Sequence, residues 1–175
     1  EEAALRETLA RVKSDLGTPT ALLYNAGSGA WGDVEATSSE DFEKAWRVNA
    51  QGLFVASQAL IPGMKEAGGG AIVVTGATAS LRGGARFAAF ASAKAAQRSL
   101  AQSMARHLMP QGIHVAHVII DGMVDLPSTR ERMPDVPEEK FLDPDAVAET
   151  AFFVAHQPRS AWSFEVEARP HVESW

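Results

Sequence analysis

Residues 68–76 read Gly68-Gly69-Gly70-Ala71-Ile72-Val73-Val74-Thr75-Gly76, a glycine break, a near-continuous apolar run and a glycine stop. A run apolar on both alternating faces predicts a strand covered on both sides, the habit of parallel sheets. Two similar segments lie upstream and downstream, Thr20 to Tyr24 and Ile113 to Ile120. Helical patterns fill the intervals. Leu5, Leu9, Val12 and Leu16 recur at helical spacing over residues 2–16, and Gly17 supplies the stop. Ser38 or Ser39 caps a second helix with Asp41 and Glu43 in its first turns; its apolar positions Phe42, Trp46, Leu53, Val55 and Leu60 continue until Pro62-Gly63. Residues 86–109 are rich in helix formers and close at Pro110-Gln111-Gly112. Asp143-Pro144 caps a last helix to Ala155, and Trp162 to Val166 alternate as a final strand. Strands alternating with helices predict an α/β fold, a doubly wound parallel sheet whose ligands collect at the C-terminal strand ends. Asn25-Ala26-Gly27, Gly76 and Asp121-Gly122 all follow such ends.

The 175 residues, 46% hydrophobic and 7% aromatic, suffice for one well-buried core, so residues 1–175 are read as a single domain. Sixteen basic against 22 acidic residues leave a net charge of -6, which disfavours attraction to nucleic acid or to anionic membrane. The absence of cysteine excludes disulfides and thiolate chemistry. No stretch approaches the roughly 18 consecutive apolar residues of a membrane span, no signal-peptide pattern opens the chain, and cytoplasm is the default expectation. The start at Glu1 rather than Met carries the expectation that the chain begins inside a longer reading frame. The five histidines form no zinc-like spacing, since His114 and His117 fall on opposite faces of one strand, and no metal is expected. Residues 126–141, punctuated by Pro127, Pro134 and Pro137, read as a mobile segment and a candidate substrate lid.

The chemistry-bearing stretch is Phe90-Ala91-Ser92-Ala93-Lys94, which sets an aromatic ring and a lysine four residues apart on one helical face. A tyrosine would make the pair a proton-transfer site, but Phe has no hydroxyl whose pKa Lys94 could depress.

Taken in order, the Asn25-Ala26-Gly27 turn, Val48-Asn49 with Gly52 behind it, the strand Ile72 to Thr75, and Phe90 to Lys94 resemble the short-chain dehydrogenase/reductase family. Nearly the whole chain is covered, from that family's third helix to its C-terminal strand. The resemblance implies a Rossmann-like sheet, NAD or NADP as cofactor, a small-molecule substrate and a homo-oligomer formed by the helices around residues 38–66 and 86–109. In such enzymes a tyrosine exchanges a proton with the substrate oxygen, a lysine lowers its pKa and binds the nicotinamide ribose, a serine holds the substrate oxygen, and an asparagine anchors a water relay. Lys94 fills the lysine position and Asn49 the asparagine position, whereas Phe90 stands for the tyrosine and Ala77 for the serine. Lys94 reads either as that ribose ligand or as a solvated helix residue, and Asn49 either as relay anchor or as a structural tie.

Asn25 and Gly27 fall on the adenosine side of the implied pocket, while Gly122 and Val124 fall where a backbone amide meets the carboxamide. Leu126 replaces the usual threonine, and Asp121 lies too far from Gly76 to serve as a ribose acid. Loss of an acid or of an oxyanion donor costs about 10²–10⁴-fold or roughly 10²–10³-fold, so standard carbonyl reduction should be weak or absent. Thr75, Thr78, Ser80 and Ser92 carry nearby hydroxyls, of which Thr78 is the candidate replacement. The chain also resembles an atypical bacterial branch of the family in which Phe stands at this position. The family's glycine-rich turn has no counterpart here. Its two strand-helix units, about 60 residues, would precede Glu1, and without them the strand at Thr20 to Tyr24 presents an apolar edge that a removed segment or another chain would cover. A noncatalytic binding or assembly module that keeps this fold is the alternative reading.

Overall fold

The computed structural model describes residues 1–174. Four parallel strands form the main sheet in the order β1 (Ala21–Tyr24), β2 (Gly70–Thr75), β3 (Ile113–Ile120) and β6 (Glu165–Ala168). Tyr24 pairs with Val74, Thr75 with Val118, and Ile120 with Ala168. A minor two-stranded sheet joins β4 (Met123–Val124) to β5 (Phe141–Leu142). Every residue of β3 is buried, as its central position requires.

Strand alternation divides the core into two layers. Ile72, Val74, Ile113 and Val115 face Leu53, Leu60, Met64, Ala101 and Leu108 of helices α3 (Gly52–Glu66) and α4 (Ala88–Leu108). Val73, Ala116, Val118 and Ile120 face the opposite side, where Val154 of α6 (Pro144–Ala155) covers them. Helix α1 (Glu2–Leu16) lies outermost and packs against α3, with Leu5 and Leu9 partly buried at the contact. The chain is thus a doubly wound parallel α/β structure of Rossmann type. No helix among the described residues is long and apolar enough to cross a membrane.

Strand β1 closes the sheet on one side, and among the described residues no strand pairs with its outer edge. Leu23 is 57% exposed there. It stands in register with buried Val73, so an apolar side chain beside the core is left largely uncovered by the described residues.

Several predicted boundaries shift, each for a local reason. The first strand begins at Ala21 rather than Thr20. The second helix runs past Pro62 to Glu66 and is not one helix: α2 (Ser39–Trp46) passes through a π turn (Arg47–Gln51) into α3. The last strand starts at Glu165, not Trp162, because Trp162 stacks on His114 with ring centroids 4.9 Å apart and donates its indole N–H to Gln157. Residues 126–141 are not plain loop. They hold α5 (Pro127–Arg132), with Thr129 buried and donating to the Val124 carbonyl, while Arg130 pairs with Asp125 and lies 4.1 Å from the centre of the Phe141 ring. Proline at the first helical position starts this helix instead of preventing it.

The π turn is held from the sheet. Tyr24, the only tyrosine, donates its hydroxyl to the Val48 carbonyl at 2.5 Å. A side chain at Gly52 would bring its Cβ within 2.2 Å of that hydroxyl oxygen. Gly52→Ala should therefore destabilise by about 1–3 kcal/mol, and Tyr24→Phe by about 1 kcal/mol through the lost hydrogen bond. Urea unfolding of the double variant should cost less than the sum of the two, because without the hydroxyl the new methyl fits; strict additivity would contradict the packing described.

Candidate active site

The π turn does more than kink a helix. An extra residue in the turn shifts the bonding to Gly52 N–H donating to the Arg47 carbonyl, which leaves neighbouring carbonyls to other donors. Val48 O takes the Tyr24 hydroxyl, and Asn49 O takes the Gln97 side-chain amide at 3.0 Å. Asn49 is fully buried, and its own amide donates to Ala45 O at 2.9 Å and Ser28 O at 3.2 Å. Its Oδ1 has no partner among the described residues.

Lys94, on the first half of α4, is 5% exposed. Its ammonium donates to the Thr75 carbonyl at the end of β2, 2.8 Å, and to Gln97 Oε1, 3.1 Å. Burial lowers its pKa to about 8. Two of the three ammonium donors are occupied, and the third is available to a ligand. A Cβ on Gly27 would sit 3.7 Å from Asn49 Oδ1 and 4.0 Å from Lys94 Nζ. The exposed turn at Gly27 thus passes close to an unpaired acceptor and an incompletely paired cation, and the missing side chain leaves both reachable. Lys94 is not a solvated helix residue.

Phe90 lies one turn earlier on α4 and meets the same loop as Lys94, at Trp31 rather than at Gly27. Trp31 packs on Phe90 and Phe87 with centroids 5.2 and 5.0 Å apart. Backbone bonds strap this loop to the start of α4, from Gly32 N–H to Arg86 O and from Ala88 N–H to Gly32 O. A cleft of about 290 Å³ opens beside it, lined by Ser28, Trp31, Thr37, Asp41 and Lys44 among others. Another cleft of about 300 Å³ lies at the N-terminal ends of β2 and β3, beside Gly70, Gly112 and His114. Ligands of open α/β sheets collect at the opposite, C-terminal ends, where the loop that lines the cleft beside Trp31 follows β1; Asn49, Phe90 and Lys94 are not among that cleft's lining residues.

The remaining predicted positions distribute along the same rim. Asn25 is exposed in the turn after β1, and Ala77 begins the short 3-10 turn (Thr78–Ser80) after β2. Gly122, at φ +148°, follows β3 closely enough to Pro170 and Leu142 that a Cβ would lie 3.0–3.1 Å away, and Val124 pairs with Leu142 in the minor sheet. Among the nearby hydroxyls, Ser92 is exposed and turned back onto Ala88 O, and Ser80 is buried with its Oγ unpaired among the described residues. Asp121 forms an ion pair with Arg169.

Three features escape the sequence pattern: Gln97, Trp31 and His117. His117 is fully buried on the α4 face of β3, 3.8 Å from Glu165 Oε1. Its Nε2 would lie only 2.2 Å from a Cβ on Gly76, so the imidazole, not a phosphate, accounts for that glycine. Burial foremost, with the charges of Lys94 and Arg98, lowers its pKa to about 4 against the opposing pull of Glu165. The bond from Arg98 holds the Glu165 carboxyl below its usual range.

A family model for short chain dehydrogenases matches residues 1–136. The chain is 34% identical over 168 residues to a Xanthobacter autotrophicus protein described as inactive 2-(S)-hydroxypropyl-CoM dehydrogenase 2, covering 88% of this chain and 73% of that relative. A short-chain dehydrogenase structure from Rhodopseudomonas palustris superposes with a TM-score of 0.80 at 38% identity, over 98% of this chain and 71% of that one. An alcohol dehydrogenase from Thermococcus sibiricus, complexed with 5-hydroxy-NADP, shares the fold at a TM-score of 0.86 and 23% identity, over 99% of this chain and 72% of that one. The chain belongs to the short-chain dehydrogenase family.

The neutral His117 gives the acid limb of stability a defined sign. Its folded pKa of about 4 lies below the ordinary imidazole value of 6.5, so the unfolded chain binds the extra proton between those values and stability falls as pH drops through that window. Glu165 adds its own loss only below about its ordinary 4.5. In urea unfolding from pH 7 to 4, His117→Asn should flatten the decline between 6.5 and 4. An equally steep decline in the variant would contradict the assignment.

Proposed function

We propose that this chain is a nicotinamide-binding oxidoreductase scaffold of the short-chain dehydrogenase type whose standard carbonyl reduction is weak or absent. The observation that carries the reading is the buried Lys94 ammonium, with one donor uncommitted, beside the unpaired Asn49 Oδ1 and the bare backbone of Gly27. A donor and an acceptor side by side match a vicinal diol, and ribose is the diol of a nicotinamide nucleotide. Lys94, Asn49 and Gly27 would hold the nicotinamide side of NAD or NADP, with Asn25, Gly122 and Val124 further along the rim. When bound, such a group supplies a hydride donor or acceptor to a small-molecule carbonyl or alcohol.

The chain's own residues then fall short at the proton. A carbonyl accepting hydride must also receive a proton, and Phe90 offers none. Its ring is packed against Trp31, and Ala77 has no hydroxyl to hold the substrate oxygen. The X. autotrophicus relative described as inactive agrees with this deficit.

Assembly is the second reading, favoured by Phe42, Trp46 and Phe54, each about 45% exposed along α2 and α3. These rings offer an apolar surface to a second copy.

Calorimetry of the full-length protein with NADH and NADPH separates the readings. Binding by one of them, weakened roughly 10–100-fold in Lys94→Ala, supports the scaffold reading; a stable dimer binding neither supports assembly. Against a carbonyl panel, the wild type should turn over at least about 10²-fold more slowly than Phe90→Tyr/Ala77→Ser. Rapid wild-type turnover would end the inactivity claim.

A further inference from the structure

Lys94 is not joined to the π turn by a proton-carrying group. Gln97, one turn further along α4 and fully buried, spans the gap: its Nε2 donates to Asn49 O at 3.0 Å and its Oε1 accepts from Lys94 Nζ at 3.1 Å. We propose that Gln97 is a positioning residue that clamps the Lys94 ammonium to the π-turn carbonyl of Asn49, making Lys94 a fixed cation and hydrogen-bond donor rather than a station for protons.

Three observations support the clamp. First, the amide uses both ends in a fixed sense: the donor end must face a carbonyl and the acceptor end an ammonium, and the surroundings offer one of each. Second, a neutral amide neither gains nor loses a proton across the physiological range, so no proton passes through Gln97 as it would along a file of water. Third, the opposite end of the ammonium is held by the Thr75 carbonyl, so two acceptors on different elements fix its position while one donor remains. The clamp depends on the π turn, because only the displaced bonding there frees Asn49 O for a side chain. It also agrees with Phe90: where no phenol needs its proton replenished, a closed path costs nothing. The inference deepens the cofactor-holding reading, on which its functional consequence rests, although the clamp itself is a property of the protein alone.

The other charged or titratable groups around Lys94 are Arg98 on α4, His117 on β3 and Glu165 on β6. His117, with a pKa of about 4, stays neutral throughout a titration of Lys94. Arg98 and Glu165 are paired with each other and keep constant charge there.

The test follows the Nζ resonance of Lys94 by NMR of ¹⁵N-lysine-labelled protein from pH 6 to 10, assigned with Lys94→Arg. The wild-type midpoint should lie near 8. Gln97→Leu removes an acceptor from the charged form, and the midpoint should fall by about half a unit or more. Gln97→Glu puts a carboxylate in the same place, and it should rise by at least as much. A residue that merely fills space would leave the Gln97→Leu midpoint at the wild-type value while Gln97→Glu still raised it, and that result overturns the proposal. Should Gln97→Leu fail to fold, Gln97→Met carries the same expectation. NADPH affinity measured alongside should fall roughly tenfold in Gln97→Leu. A wild type that binds neither NADH nor NADPH would defeat the cofactor reading, while the titration would still decide the clamp.

Discussion

A buried ammonium has to be surrounded by acceptors, and the arrangement of the site follows from that requirement at Lys94. Removing the charge from water disfavours it, as its lowered pKa records, and only well-placed hydrogen bonds make the position tolerable. One acceptor is the last carbonyl of β2 and the other is the side chain of Gln97, itself anchored on the π turn. The sheet, α4 and the irregular helix must therefore be in register for Lys94 to be buried at all.

The π turn is the costly element of this arrangement, since it exchanges regular helical bonds for free carbonyls. Its cost is offset from outside the helix. The Tyr24 hydroxyl, at the end of the edge strand, bonds one freed carbonyl, Gln97 bonds another, and Gly52 leaves the room that the tyrosine needs. Asn49 is thereby turned with its amide spent on backbone oxygens and its own oxygen unpaired. An unsatisfied buried acceptor is tolerated in few places, and a ligand site is one of them.

The same frame shows what Phe90 and Ala77 contribute to the shape of the rim. Phe90 keeps the ring that packs against Trp31, so the loop over α4 stays strapped in place. Ala77 keeps the extended backbone that leads into the short turn after β2. At the sheet's edge, Leu23 of β1 is 57% exposed, and among the described residues no strand pairs beyond it.

Periodicity and turn residues were enough to read the parallel sheet, the central strand Ile113–Ile120 and the helices at Glu2–Leu16 and Pro144–Ala155, because these depend on local pattern and burial on two faces. The expectation for Asn49, Phe90, Lys94 and Ala77 rested on the order of the motifs and on the residue types at those positions. What the linear order concealed were partners set by contact between distant segments. Nothing in a helical repeat announces that Tyr24 will reach Val48, that Gln97 will join Lys94 to Asn49, or that the Gly76 backbone yields space to His117. Local propensity acts through neighbours in the chain, whereas a buried hydrogen bond or a missing Cβ has meaning only once strand and helix are packed at a fixed distance.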